Sequence, residues 1–169
     1  MKKLLIAVTG AIAFTATVPS LAQEGERPSY GSLGEATAPV ADAYFNAYIG
    51  RDWDVLETML VEGSSFQDPT ATYVFGGVLS EGREAMMSRF RNGYASLTHM
   101  EFAVTRRIIS GDVAIYEGAL DWGIDLGDAK VVDSVTPMVI ILTVKDGKVI
   151  THRDYVDYAP FIEAVRAAG

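Results

Sequence analysis

The chain contains no cysteine. A disulfide framework, a thiolate metal site and a cysteine nucleophile are excluded, as is a lipid-modified cysteine behind the N-terminal leader. Histidine is scarce, with only His99 and His152 present. A histidine-rich metal centre is ruled out. Two histidines with a carboxylate are the one metal set left open, and no metal or organic cofactor is expected. Positive charge is short as well: 14 lysines and arginines face 22 aspartates and glutamates, for a formal net charge of -8. Beyond Lys2-Lys3 the basic residues are scattered, and only Arg106-Arg107 are adjacent. A chain this acidic attracts neither nucleic acid nor anionic lipid, so neither is expected as a partner.

What is present suffices for one folded domain. The 169 residues are 49% hydrophobic and 21% charged, which supports a core and argues against wholesale disorder. Met1-Lys2-Lys3 opens the chain with positive charge, and Leu4 to Val18 follows as an apolar run. That run is about 15 residues, short of the roughly 20 a bilayer span requires. Ser20 and Ala22 then stand at the two small-residue positions a signal peptidase reads. Residues 1–22 are therefore read as a cleavable signal peptide, cut after Ala22, with the mature chain periplasmic or secreted. Residues 23–37 are rich in Gly, Glu, Ser and Pro without periodicity and predict a flexible leader. No later segment is long and apolar enough to span a membrane, so none is expected as a partner after cleavage.

Residues 38–169 read as a single domain with helices first. Thr37 is placed to cap a helix with Pro39 in its early turn, carrying Val40, Ala43, Tyr44, Ala47 and Tyr48 at helical spacing and ending at Gly50. Asp52 caps a short second helix with Trp53, Leu56, Met59 and Leu60 on one side. Gly63 to Pro69 is extended or loop-like. Ser80 to Tyr94 predicts a third helix, with Glu84 in a capping role and Met86, Met87 and Phe90 in the core. From Leu97 the pattern becomes strands: 97–109, 113–126, 131–144 and 148–158, joined at Gly111-Asp112, Gly127-Asp128 and Asp146-Gly147. Pro160 to Ala168 can form a terminal helix. Helices followed by an antiparallel meander make an α+β domain, and a strongly curved sheet around helices encloses a pocket.

Five segments carry a family resemblance: Ala43-Tyr44-Phe45-Asn46-Ala47-Tyr48 with Asp52-Trp53-Asp54, Phe66-Gln67-Asp68-Pro69, Gly82-Arg83-Glu84-Ala85-Met86, and Gly147-Lys148-Val149-Ile150-Thr151-His152-Arg153-Asp154-Tyr155. Through them the chain, over residues 40–168, resembles the SnoaL-like superfamily, also called the nuclear transport factor 2-like fold. The resemblance implies N-terminal helices packed in a strongly curved antiparallel sheet, a cone-like α+β barrel. It does not imply one reaction, because the fold hosts isomerases, cyclases, dehydratases, epoxide hydrolases and binders. Against ketosteroid isomerase, Tyr44 falls on the oxyanion-donating tyrosine and Asp68, before Pro69, on the proton-moving aspartate. The family's second donor, a carboxylic acid on the third strand, is replaced by Val139 or Ile140. A lost donor of that kind costs about 10²–10³ in rate. Against limonene-epoxide hydrolase, Asp154 matches one aspartate of an Asp-Arg-Asp set and Asp121 its partner. Ala119 replaces the arginine, and Phe66 and Asp68 replace a tyrosine and an asparagine.

Strand alternation adds a reading of its own. His152, Asp154 and Val156 share one face of the last strand; Glu117, Ala119 and Asp121 share one face of the second, with Tyr116, Leu120, Trp122 and Ile124 on the other. If the acidic face lines the pocket, Asp68, Asp121 and Asp154 converge there. Carboxylates in an apolar cavity suit acid/base work near neutrality. Three functions follow. One is acid/base chemistry of isomerase, lyase or cyclase type on a small apolar carbonyl compound, carried by Tyr44, Asp68, Asp154, His152 and Asp121. The second is a periplasmic binder of a small apolar ligand. The third is a dimerisation module, with Tyr116, Leu120 and Trp122 on an apolar outer face; a homodimer is expected in any case. A diverged epoxide hydrolase is the remaining alternative.

Overall fold

The structure, a computed structural model, describes residues 29–128 and 130–169. The expected signal peptide, its cleavage site and the start of the leader lie outside the described residues.

The first helix, α1 (Tyr30–Ile49), begins earlier than expected. Ser29 is its cap, its hydroxyl accepting from the Ser32 backbone N–H at 3.1 Å. Residues 30–37, read as leader, are therefore helical. Thr37 is a buried helix residue rather than a cap, and Pro39 lies inside the helix. Pro39 is exposed, so water can satisfy the carbonyl it leaves unpaired. Ala41, Tyr44, Phe45 and Tyr48 form the buried stripe of α1, at the spacing an amphipathic helix requires. Asp52 caps α2 (Trp53–Thr58) as its sequence suggests, accepting from Val55 N–H at 3.2 Å.

The segment read as extended or loop-like is a full strand, β1 (Leu60–Asp68). It leads through a 3₁₀ turn (Pro69–Ala71) and the short α3 (Thr72–Phe75) into β2 (Val78–Glu81). Ser80 therefore belongs to β2, and α4 covers only Arg83–Gly93. Gly82, at φ 93, breaks the chain direction between them and offers no side-chain cap, so Glu84 completes no capping box. Met86, Met87 and Phe90 are buried as expected. The strands β3 (Leu97–Ser110), β4 (Val113–Asp125), β5 (Val131–Lys145) and β6 (Lys148–Val156) form the meander, and α5 (Ala159–Ala167) closes the chain. At the Asp146-Gly147 turn both residues have positive φ, 52° and 72°, as a tight hairpin demands.

The six strands make one curved, unclosed sheet in the order β2-β1-β6-β5-β4-β3. Four of its five strand pairings are antiparallel. The exception to an all-antiparallel sheet is β1 against β6, which run parallel, with Phe66 opposite His152. Register shifts between Val104 and Arg106 in β3, and between Leu60 and Ser65 in β1, bend the sheet around the helices. Inside the curve sit Tyr44, Tyr48, Phe66, Phe90, Tyr116, Ile140 and Leu142.

Burial settles which face of β4 is inside. Tyr116, Leu120 and Trp122 are buried and Asp121 is exposed. Both the acidic pocket face and the apolar outer interface expected from β4 are thus inverted. These three large apolar side chains bring more favourable burial than the alternate arrangement could, which would leave them in water.

Candidate active site

A cavity of about 260 Å³ lies between the concave sheet and the helices. Its walls are mainly apolar, with Phe66, Met100, Leu120, Trp122 and Met138 among them. The polar groups that reach it are Tyr48, Asp68, Arg89, Tyr94, Asp154 and Tyr158.

Strand alternation turns His152 and Asp154 to the concave side, where they are 0% and 2% exposed. They bond each other, His152 Nε2 to Asp154 Oδ1, at 2.8 Å. The carboxylate can only accept there, so Nε2 carries the proton. In the tautomer with the proton on Nε2, Nδ1 is an acceptor, and Tyr44, 3.1 Å away, donates to it. The imidazole is boxed edge-on by Tyr48 at 4.5 Å and Phe66 at 4.9 Å between ring centres. Asp154 Oδ2 accepts from the Tyr48 hydroxyl at 2.8 Å. Tyr48 has one hydrogen, already given to Asp154, so in its 2.6 Å bond with Tyr94 the Tyr94 hydroxyl donates. The result is a continuous chain, Tyr44–His152–Asp154 on one side and Tyr94–Tyr48–Asp154 on the other.

Asp68 forms a second polar centre. Its Oδ1 accepts from Thr70 N at 2.9 Å, Thr70 Oγ1 at 2.5 Å and Ala71 N at 3.0 Å, which pins the turn after β1. The turn-starting role that Asp before Pro suggests is therefore real. Its Oδ2 accepts from the Tyr158 hydroxyl at 2.6 Å and has a lone pair left over. Asp68 is 4% exposed and lines the cavity.

The structure thus brings Asp68 and Asp154 together on one cavity, with His152 directly behind Asp154. It does not bring Asp121 there: that carboxylate is on the convex face, 3.1 Å from His99 Nε2. Asp154 pairs with none of Arg153, Arg106 or Arg107; Arg107 instead grips Asp42, and Arg106 pairs Glu117. Tyr44 is fully buried, is absent from the cavity wall, and spends its hydroxyl on His152. Of the two residues aligned with the missing second donor, Val139 and Ile140, Ile140 is buried and lies opposite Asp154 in the sheet. Tyr48, Tyr94 and Tyr158 were not singled out from the sequence. Tyr48 was legible in principle, since it lies one helical turn from Tyr44 on the same buried stripe.

Burial pushes the phenols of Tyr44, Tyr48 and Tyr94 well above their usual value, and the charge of Asp154 pushes them further. Burial does the same for Tyr158, followed by its bond to Asp68, and for Tyr116, followed by its bond to Asp42. These phenols are hydrogen-bond donors, not bases. Raised folded-state values carry a sign: stability is unaffected below the unfolded tyrosine value, near 10, and falls as pH rises above it. In an alkaline titration, the phenolate absorbance of these five among the eight tyrosines is expected to appear together with loss of far-UV circular dichroism. Their ionisation inside a still-folded protein would contradict the burial described.

The SnoaL-like domain family matches residues 41–152, most of the described chain. No curated protein matches the sequence significantly. Among solved structures, a candidate SnoaL-like polyketide cyclase from Shewanella putrefaciens is similar at TM-score 0.69 and 18% identity, covering 78% of this chain and 96% of that one. A protein from Catenulispora acidiphila with a ketosteroid isomerase-like fold, in complex with trimethylamine, is similar at TM-score 0.62 and 17% identity, covering 76% and 92%. The LEH-like epoxide hydrolase of M. tuberculosis is similar at TM-score 0.59 and 19% identity, covering 78% and 91%. At such identities the likeness to these structures is one of fold. Family match and fold agree, and the chain belongs to the SnoaL-like family.

Proposed function

We propose that the domain is an acid/base enzyme that moves a proton beside the carbonyl of a small, mainly apolar compound. The observation that carries this reading is the placing of two buried carboxylates, Asp68 and Asp154, on one apolar cavity, each held by a tyrosine that keeps its proton. In this reading Asp68 Oδ2 takes a proton from the carbon next to the carbonyl. The electron pair of that C–H bond moves onto the carbonyl oxygen, and Tyr94 turns its hydroxyl hydrogen from Tyr48 to that oxygen. Asp68 then returns the proton to carbon. Tyr94 takes the donor role expected of Tyr44. Asp154 orders Tyr48, and His152 and Tyr44 order Asp154 from behind.

The test is hydrogen–deuterium exchange. A panel of small cyclic and aromatic ketones is incubated with the protein in D₂O, and loss of the α-proton signals is followed by NMR. The wild type is expected to exchange at least one compound. Asp68→Asn, which can still accept at Oδ1 to pin the turn, is expected to lose about 10²–10⁴ in rate. Tyr94→Phe is expected to lose about 10²–10³. Full activity in Asp68→Asn removes Asp68 from the chemistry.

A non-catalytic small-ligand binder is the second reading, favoured by the full engagement of Asp68 Oδ1 in its turn and of Tyr44 with His152. Saturable binding of a panel compound with no exchange by the wild type selects it.

A further inference from the structure

One charged group on the cavity has no part in the roles above. Arg89, on α4, shares the wall with Asp68, Tyr94 and Asp154. Its Nε donates to Ser80 Oγ at 2.9 Å, and Ser80 is itself buried in β2. That bond fixes the plane of the guanidinium. Among the described residues neither Nη1 nor Nη2 has a hydrogen-bond partner, and no ion pair engages Arg89. Its neighbours on α4 are paired away from the cavity, Arg83 with Glu62 and Arg91 with Asp54 and Glu57.

The two cavity carboxylates do not neutralise it at contact distance, because protein donors already hold both. Asp68 takes hydrogen bonds from Thr70, Ala71 and Tyr158, and Asp154 from His152 and Tyr48. A partly buried guanidinium without a counter-ion contributes little to stability. Two parallel N–H donors held in a fixed plane are, however, the geometry that grips a carboxylate bidentately. Arg89 also acts on the hydroxyl of Tyr94, where its charge opposes the upward push of burial. The cation and Tyr94 line the same cavity wall.

We propose that Arg89 is a ligand anchor and that the cavity takes small apolar acids, the ligand carboxylate lying on Nη1 and Nη2. Resting on the proposed function, this makes the substrate an apolar oxo acid, with its carboxylate on Arg89 and its carbonyl beside Tyr94. The overall negative charge of the protein works against anions in general, so acid binding here requires a local cation of this kind.

The experiment is calorimetric binding of three acids (benzoate, trans-cinnamate and octanoate), each against its own primary amide. In the wild type, at least one acid is expected to bind about 10–100-fold tighter than its amide. Arg89→Gln is expected to abolish that preference and leave amide binding in place. Arg89→Lys is expected to restore part of it, since the charge returns without the fork. Ser80→Ala keeps the charge and frees Nε, and is expected to weaken acid binding roughly threefold to tenfold with the amide unaffected; it carries the test if Arg89→Gln does not fold. The proposal is overturned if no acid binds at millimolar concentration, if acid and amide bind equally, or if the preference survives Arg89→Gln or is untouched by Ser80→Ala. Proton exchange is read separately: a panel ketone that exchanges without any acid preference keeps the enzyme reading and removes the anchor, and an acid preference without exchange does the reverse.

Discussion

Replacing His152 with alanine is expected to lower the melting temperature by about 10–20 °C, the size of shift that follows from losing roughly 3–5 kcal/mol in a domain of this length. The imidazole is 0% exposed and bonds on both nitrogens, to Tyr44 and to Asp154. Its removal leaves a void among Tyr44, Tyr48 and Phe66 and strips a donor from a buried carboxylate. A buried charge deprived of its partner is far more costly than a pair never formed, because water cannot reach it. Tyr44→Phe removes only one hydroxyl from the far end of the same chain and is expected to cost about 1 kcal/mol. The double substitution is then expected to fall short of the sum, since the Tyr44 hydroxyl has nothing left to bond once His152 is gone. Thermal melts followed by circular dichroism measure all three. A His152→Ala protein that melts within a few degrees of the wild type would show that the chain behind Asp154 holds nothing in place.

Gly118→Ala is expected to destabilise by about 3 kcal/mol or more, a large loss for one methyl group. Gly118 lies in β4 opposite the irregularity in β3, where the backbone of β3 crosses close above it. A Cβ at this position would stand 2.1 Å from the Ala103 carbonyl oxygen and 2.6 Å from Phe102 Cε1. The nearest obstacle is backbone, so relief requires the bulge itself to open. That bulge helps bend the sheet over α1, so curvature and cavity are lost with it. Gly123→Ala is the comparison. Its nearest obstacles, at 2.4 Å, are the side-chain oxygens of Asp133 and Thr98, which can rotate away. It is expected to cost less than half as much. Chemical denaturation of the two variants side by side checks the order, and equal losses would mean that the close strand approach at Gly118 does not matter.

The meander was legible because its residues satisfy two local rules at once: apolar alternation along each strand and turn residues between them, Asp146-Gly147 above all. β1 obeys neither. Two of its inward positions are polar, and their partners are remote: Ser64 Oγ donates to the Val149 carbonyl at 2.7 Å, and Asp68 is held by Tyr158. No local pattern announces such a strand. The same limit applied to the site. His152 and Asp154 could be placed together because they are two apart on one strand, whereas Tyr94 and Tyr158, at the ends of a predicted helix and a predicted strand, enter through tertiary contacts that no local pattern marks. Asp121 lies outside the cavity despite its likeness of motif, because burial and not motif sets the face of a strand. On β4 the apolar content of Tyr116, Leu120 and Trp122 decides the inner face, whatever the acidic residues between them suggest.

The parallel contact between β1 and β6 has a consequence for how the protein is made. Tyr44 and His152 are separated by 108 positions in the chain, Tyr48 and Asp154 by 106, and Asp68 and Tyr158 by 90. Every one of these bonds waits for the final strand to slide in beside one of the first. Such long loop closures come late in folding, after local helices and hairpins have formed. A nascent chain lacking its last twenty or so residues can build the meander's early hairpin, yet it holds neither the imidazole nor the second carboxylate. The hydrogen-bond chain along the cavity wall is therefore among the last parts of the fold to be assembled, and it closes only when β6 takes its place beside β1.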